Sequence, residues 1–331
     1  MQNTAEQQQF LPFENNSLWL DLTYKPIRKE LADLEKEIAG VCEIPDLRPF
    51  PKGGKRLRPA LVLLSSCFGK GPCGKVTRLA AAVETLHQAT LLHDDIIDQA
   101  QSRRGEDTFN KVFGESTALL VGDYLYATFL ERSSGLGQTA LQNLAAVLKD
   151  MIQAEFAQQK DLFNCAIDEK SYLRRTLKKS GSFLACCCKL GALLAGAPAK
   201  TVFALEKFGL HAGISFQITD DLLDFKGNSN TLGKPVGQDI TQGLLTLPVI
   251  HVLANSPANS TIRGLIEKRD LHPASIEYIV DAMRDAGSLS YTAVVAERYT
   301  CLAGRVLATL PGGAARDSLN ALLEFIKTRE C

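Results

Sequence analysis

The chain lacks several things, and each absence removes a class of function. No apolar run approaches the ~18 residues of a membrane-spanning helix, so stable membrane insertion is not expected. There is no excess charge of either sign: 37 Lys and Arg stand against 37 Asp and Glu. Nucleic-acid binding, which calls for a basic face, is therefore not the expected task. Alternating β-branched runs are scarce, which argues against a sheet. The nine cysteines show no zinc-type pairing with histidine. With no secretory leader at the start, the consecutive Cys186, Cys187 and Cys188 read as buried, reduced thiols of a cytoplasmic protein. The terminal Thr328-Arg329-Glu330-Cys331 does not meet the prenylation pattern.

What remains is ordinary globular material, 45% hydrophobic and 22% charged, with apolar residues recurring at the helical period. Residues 1–16 are rich in Gln and Asn and read as a flexible segment. From 17 to 331 the chain reads as one large all-α bundle of roughly ten to fourteen helices with a central cavity. Helices are expected over 18–38, 59–68, 76–97, 108–132, 138–164, 169–194 and 201–225, with a loop at 227–237. Further amphipathic pieces are broken at Pro273 and at Pro311-Gly312-Gly313. Gly69-Lys70-Gly71-Pro72-Cys73-Gly74 matches a dinucleotide-binding fingerprint formally, but that motif needs a strand–turn–helix setting. A turn between helices fits better.

Two stretches dominate. Leu91-Leu92-His93-Asp94-Asp95-Ile96-Ile97-Asp98 and Gln217-Ile218-Thr219-Asp220-Asp221-Leu222-Leu223-Asp224 each end in D-D-x-x-D. Residues i and i+4 share a helix face, so Asp94 pairs with Asp98, and Asp220 with Asp224. Two carboxylates roughly 6 Å apart repel by about 3 kcal/mol at an effective dielectric near 20. Embedding such pairs twice among Leu, Ile and Phe is costly unless a cation fills the space. Magnesium takes hard oxygen ligands and is usually completed by substrate phosphates. The two motifs therefore read as facing walls around a magnesium-bound diphosphate. A solvated helix end is the plain alternative for either motif alone.

Cations complete the pattern. Lys55, Arg56 and Arg58 follow two glycines, Arg103 and Arg104 follow the first motif, and His87 lies two helical turns before Asp94. Guanidinium forks suit phosphate oxygens, so these residues are candidates to hold a second diphosphate without metal.

In order along the chain stand Gly53-Gly54-Lys55-Arg56-Leu57-Arg58-Pro59, the first acid motif, Arg103-Arg104-Gly105, Gly122-Asp123-Tyr124-Leu125, Phe216 with the second acid motif, and Gly233-Lys234-Pro235. In these motifs the sequence resembles the trans-polyprenyl diphosphate synthases, over about residues 50–250. That resemblance implies an isoprenoid-synthase-type helical fold and about three Mg2+ ions. It implies metal ligation by Asp94, Asp98, Asp220, Asp221 and Asp224, with Asp94, Asp98, Asp220, Lys179 and Gln217 at the reaction. Isopentenyl diphosphate would be bound by Lys55, Arg58, His87 and Arg104, and the allylic diphosphate by Arg103, Lys179, Ser180, Gln217 and Lys234. The allylic C–O bond would ionise, and the double bond of isopentenyl diphosphate would attack the cation, followed by proton loss. A homodimer, and transient membrane contact on product release, are also implied.

Two departures from the family pattern stand out. Ser180 replaces a common threonine, and Leu244 stands where many members carry lysine. Below Asp94, the small Ala89 and Thr90 occupy places where an aromatic residue closes the pocket of short-chain members. Together with Leu86 they define the expected chain-length pocket, and their size favours a medium-to-long product. A short-chain synthase, a non-catalytic subunit of a heteromeric synthase and a terpene cyclase are the alternatives. A cyclase would carry a differently spaced second motif, and a non-catalytic subunit would show eroded ones.

Overall fold

The computed structural model describes residues 23–39, 55–103, 105–226 and 236–328. The expected flexible segment 1–16, Arg104 and Lys234 lie outside them. A 3₁₀ turn at Lys25–Ile27 leads into α1 (Arg28–Ala39). There follow α2 (Leu57–Ser66), α3 (Gly74–Ile97), α4 (Phe109–Phe113), α5 (Glu115–Ser134), α6 (Gln138–Lys160), α7 (Glu169–Thr176), α8 (Ser182–Leu194) and α9 (Ala199–Lys226). After the short α10 (Gln238–Thr241) come α11 (Leu247–Asn255), α12 (Asn259–Glu267), α13 (Pro273–Asp285), α14 (Ser288–Ala308) and α15 (Ala314–Thr328). Among the described residues the one strand pair is a two-residue hairpin, Ser102–Arg103 against Glu106–Asp107. No helix among them is long and apolar enough to cross a membrane.

Two apolar clusters organise the bundle. The larger gathers Leu61 and Leu64 of α2, Leu79 and Leu86 of α3, Phe183 and Leu190 of α8, Leu205 and Phe208 of α9 and Leu319 and Leu323 of α15. The second joins Phe225 at the end of α9 to Val249 and Val252 of α11, Ile262 and Ile266 of α12 and Ile279 and Met283 of α13. Burial on this scale, at about 25 cal/mol per Å² of apolar surface, is what holds helices whose ends carry so much charge.

Two local departures from the sequence expectation have identifiable causes, and the turn expected at 69–74 is present. The helix expected over 108–132 is split at Gly114, whose φ of 86° lies in a region open to glycine and costly for other residues. The helix expected over 169–194 is interrupted by a π turn at Leu177–Gly181. The glycine-rich turn 69–74 packs against the end of α8: Lys70 N donates to Ala195 O at 2.8 Å, and a β-carbon on Gly69 would collide with the Ala195 backbone. It is a packing turn, not a phosphate cradle.

Candidate active site

Where α3, α6, α7, the π turn, α9 and the segment 238–246 converge, a cavity of about 660 Å³ opens. Asp98 and Arg103 from the first motif region line it together with Gln217 and Asp221 from the second and Lys179 from the π turn. Asp239, Tyr172, Arg175, Leu244, Thr246 and Arg269 are also in its walls. The two acid motifs thus face one space.

The first motif sits at the C-terminal end of α3. Gln99 takes a positive φ of 50° and ends the helix, and the hairpin folds Arg103 back so that its Nε and Nη2 reach Asp95 Oδ1 at 2.9 and 2.7 Å. Asn110 Nδ2 donates to the carbonyl oxygens of Asp95 (3.3 Å) and Ala100 (3.2 Å), pinning α4 against this end. Gly122 of α5 explains the Gly-Asp pair in the sequence: a β-carbon there would collide with the ring of His93, the neighbour of Asp94. Burial pushes the Asp94 carboxyl up to about 6; Lys179 opposes the rise, and Glu155 and Asp98 add to it. Asp98 is raised by burial as well.

Lys179 stands between the acid groups. Its Nζ donates to Glu155 Oε2 at 2.7 Å and to Gln158 Oε1 at 3.3 Å. Burial works to lower its pKa, but the fields of Asp94, Glu155 and Asp98 outweigh that and hold it above the usual lysine value. The π turn that presents Lys179 and Ser180 lies almost backbone to backbone on α9, because a β-carbon on Gly213 would come within 2.8 Å of Ser180 O.

From Ser180 a chain of hydrogen bonds runs into the second motif. Ser180 Oγ donates to Gln217 Oε1 (2.6 Å), Gln217 Nε2 to Asp221 Oδ1 (2.8 Å), and Tyr172 OH to Asp221 Oδ2 (2.6 Å). Burial pushes Asp221 up to about 6, while the bonds from Tyr172 and Gln217 restrain it. Asp224 accepts from the backbone N–H groups of Gln238 and Asp239, both at 3.1 Å. That brings in a further carboxylate, Asp239, which is held well above its ordinary pKa by burial and by Asp224, Asp221 and Asp220. Among the described residues no three His, Cys, Asp or Glu side chains form a cage for a metal by themselves. A donor set of separated hard oxygens suits magnesium, which commonly takes one or two carboxylates and fills its octahedron with waters and phosphate oxygens.

The other expected residues are placed elsewhere. Lys55, Arg58 and His87 are not in the walls of this cavity. Lys55 Nζ lies 4.4 Å from the centre of the Phe325 ring, and the Arg58 guanidinium 5.1 Å from that of Phe183. Arg56, which the sequence grouped with them, is engaged structurally: it is buried and pairs with Glu35 and, at 2.8 Å, with Glu84. Ala89 packs with Leu92, Val121 and Leu125 in the seam between α3 and α5. Leu86 belongs to the main core, and Thr90 Oγ1 donates to His87 O at 2.8 Å.

Several wall residues were not anticipated. Tyr172 and Arg175 precede Lys179 by seven and four residues, a helical spacing that would have found them. Arg269 reaches the cavity from the turn after α12 with a φ of 56°, its guanidinium 4.5 Å from the centre of the Phe163 ring; no local signal marks it.

A helical bundle that turns two aspartate motifs and a lysine onto one cavity is the architecture of an isoprenoid synthase. The Polyprenyl synthetase family model matches residues 48–283. The chain is 36% identical over 319 residues to heptaprenyl diphosphate synthase component 2 of Geobacillus stearothermophilus, covering 94% of this chain and 99% of that protein. It is 32% identical to nonaprenyl diphosphate synthase of Mycobacterium tuberculosis, covering 86% and 85%. Its fold superposes with a TM-score of 0.88, at 28% identity and over 94% of this chain and 98% of the other, on a polyprenyl synthase from Caulobacter crescentus crystallised with calcium and isoprenyl diphosphate. The chain belongs to the polyprenyl synthetase family. It is a prenyltransferase that builds polyprenyl diphosphates.

Proposed function

We propose that the chain condenses isopentenyl diphosphate with an allylic diphosphate, head to tail and all-trans, to a product of medium to long chain length. The observation that carries this reading is that Asp98, Asp221 and Lys179 line one and the same cavity. Asp94, Asp98 and Asp220, with Asp224 and Asp239 beside them, are the residues that would hold Mg2+ around a diphosphate. Bound there, the metal supplies Lewis-acid charge that makes the diphosphate a better leaving group. Lys179, Gln217 and Arg103 bind and orient the allylic diphosphate, Gln217 being fixed by Ser180 and Asp221. Lys179 adds positive charge where the departing oxygens gather theirs, in a buried site where such charge counts most. Lys55 and Arg58 as cations and His87 as a hydrogen-bond donor are assigned to isopentenyl diphosphate, outside the walls of that cavity, with Arg104 and Lys234 supplementing the two subsites.

Product length is read from α3. The small Ala89 and Thr90 place no aromatic ring below Asp94, although Ala89 itself is packed against Leu92, Val121 and Leu125, and relatives named for heptaprenyl and nonaprenyl products support the same range. Leu119, Leu120 and Leu130 of α5 and Ile152 and Phe156 of α6 are exposed large hydrophobics, on two helices consecutive in the chain, and exposed apolar side chains, where they gather, mark an association face. We assign it to a second copy of this chain. The component 2 names of two relatives support a non-identical companion as the other occupant.

The test is incubation of the purified chain with Mg2+, labelled isopentenyl diphosphate and farnesyl or geranylgeranyl diphosphate, followed by chromatography of the dephosphorylated products. Products beyond twenty carbons are expected. Inactivity alone with activity restored by a companion polypeptide would replace the homodimer, and no condensation under either condition would sink the reading. Light scattering of the pure chain distinguishes dimer from monomer.

A further inference from the structure

One wall of the cavity carries two donors that the reaction described above does not use. Arg175 is 8% exposed and Thr246 1%, and both line the cavity. Arg175 Nη2 donates to Leu245 O at 3.2 Å, which fastens the guanidinium beside Thr246. Arg175 Nη1 and Thr246 Oγ1, by contrast, have no hydrogen-bond partner among the described residues. Buried polar groups are overwhelmingly paired, and leaving one unpaired costs more than an average bond contributes.

Thr246 is also unusual as a helix cap. It is the N-cap of the nine-residue α11, a position where threonine ordinarily accepts from the N–H two or three residues on, yet its side chain makes no such bond. Thr246 thus lines the cavity from the N-terminal end of a helix, where the dipole favours an anion, although Pro248 in the first turn has no N–H to donate. Arg175 is not neutralised either: no carboxylate among the described residues stands within ion-pair distance, although its field acts on Asp221 and Glu155. The neighbouring Leu244 contributes no charge. A fixed guanidinium, a buried hydroxyl and a helix N-terminus together select an acceptor-only, anionic oxygen. A prenyl tail offers no acceptor and water no charge.

We propose that Arg175 and Thr246 bind a phosphoryl oxygen of a diphosphate, through a contact that needs no metal. The inference rests on the proposed prenyltransfer and identifies a further diphosphate-binding pair within it. Allylic diphosphate and released inorganic diphosphate share this chemistry, so both are probed.

The experiment compares wild type with Thr246→Val, Arg175→Lys and Arg175→Met. Binding of inorganic diphosphate with Mg2+ is measured by titration calorimetry, and KM for each organic substrate by steady-state assay. Thr246→Val is expected to weaken inorganic diphosphate binding about fivefold and Arg175→Met about tenfold or more. KM for the allylic substrate should rise in step, with that for isopentenyl diphosphate unmoved. Arg175→Lys, which keeps the charge but loses the fork, should fall between wild type and Arg175→Met. Weakened inorganic diphosphate with an unmoved allylic KM assigns the contact to the released product and sustains the proposal. Wild-type diphosphate affinity in Thr246→Val and Arg175→Lys overturns it, as does a loss of kcat alone, which marks the pair as structural. Those two variants decide the matter if Arg175→Met fails to fold. If wild type binds diphosphate and the variants bind it less, yet no condensation occurs, the prenyltransfer reading fails and this subsite stands.

Discussion

The two aspartate motifs are alike in sequence and unlike in what their carboxylates do. In each, the middle residue is buried and engaged by protein: Asp95, 5% exposed, by Arg103, and Asp221, 6% exposed, by Tyr172 and Gln217. The outer residues differ. Neither the Asp94 nor the Asp98 carboxylate has a hydrogen-bond partner among the described residues, whereas the Asp224 carboxylate spends both oxygens on the first amides of α10. The first motif thus leaves both outer carboxylates unbonded by protein, while Asp224 of the second fastens the segment that brings in Asp239. Repeated letters in a sequence need not mean repeated roles, because the partner elements decide which oxygens are left over.

This asymmetry can be broken experimentally. The largest effect is expected from Asp94→Asn or Asp220→Asn: on the order of a hundredfold to a thousandfold lower kcat in the Mg2+-dependent assay, since each removes charge from where the leaving group is held. Near-normal turnover in either would remove the metal assignment. Asp221→Asn and Tyr172→Phe act one step back, through Gln217. They should cost about tenfold in kcat/KM, the scale of a single charge-assisted hydrogen bond; losses as large as for Asp94→Asn would put Asp221 on the metal itself.

Ala89→Phe sharpens the comparison on the α3 side. It should shorten the product by several isoprene units, read by chromatography, at a stability cost of about 1–3 kcal/mol from overpacking against Val121 and Leu125. An unchanged product distribution would move the pocket elsewhere.

A smaller effect concerns pH. Burial raises Asp94 from its ordinary 3.8 to about 6, so between those values the folded chain holds a proton that the unfolded chain has lost. Stability contributed by that proton is full below about 4 and fades as pH rises through about 6. In metal-free buffer, wild type should lose more stability than Asp94→Asn across this window, measured by denaturant melts, and Mg2+ should shrink the difference. A parallel pH dependence in the two proteins would contradict the buried placement. The smallest effect is chemical: thiol reagents should label the exposed Cys73 and Cys301 in the native protein. Cys186 and Cys188, whose thiols burial pushes up to about 12, should react only on unfolding.

Much of this was legible in the sequence. The helical period gave the bundle, and the i, i+4 spacing of acids among apolar residues pointed to the cavity. What the sequence hid has one cause: it depends on which elements meet. Arg269 arrives from a turn after α12, Asp239 is drawn in by Asp224, and Arg56 is diverted to Glu35 and Glu84 by partners far along the chain. The π turn escaped for a different reason, since a single-residue widening of a helix leaves the surrounding periodicity almost intact.

The contact of α9 with α8 and with the π turn carries a consequence for how such a protein can diversify. At Gly209 an added methyl would strike the Leu184 carbonyl oxygen, and at Gly213 it would meet the Ser180 carbonyl oxygen, so the wall bearing Lys179 has no slack for remodelling. The α3–α5 seam is lined by side chains, among them Ala89, Val121 and Leu125, so a change of volume there meets neighbouring side chains rather than a carbonyl oxygen, at the moderate cost of overpacking. Mutational tolerance is thus divided along the molecule: the wall that bears Lys179 is frozen, and the seam below Asp94 is more open to revision.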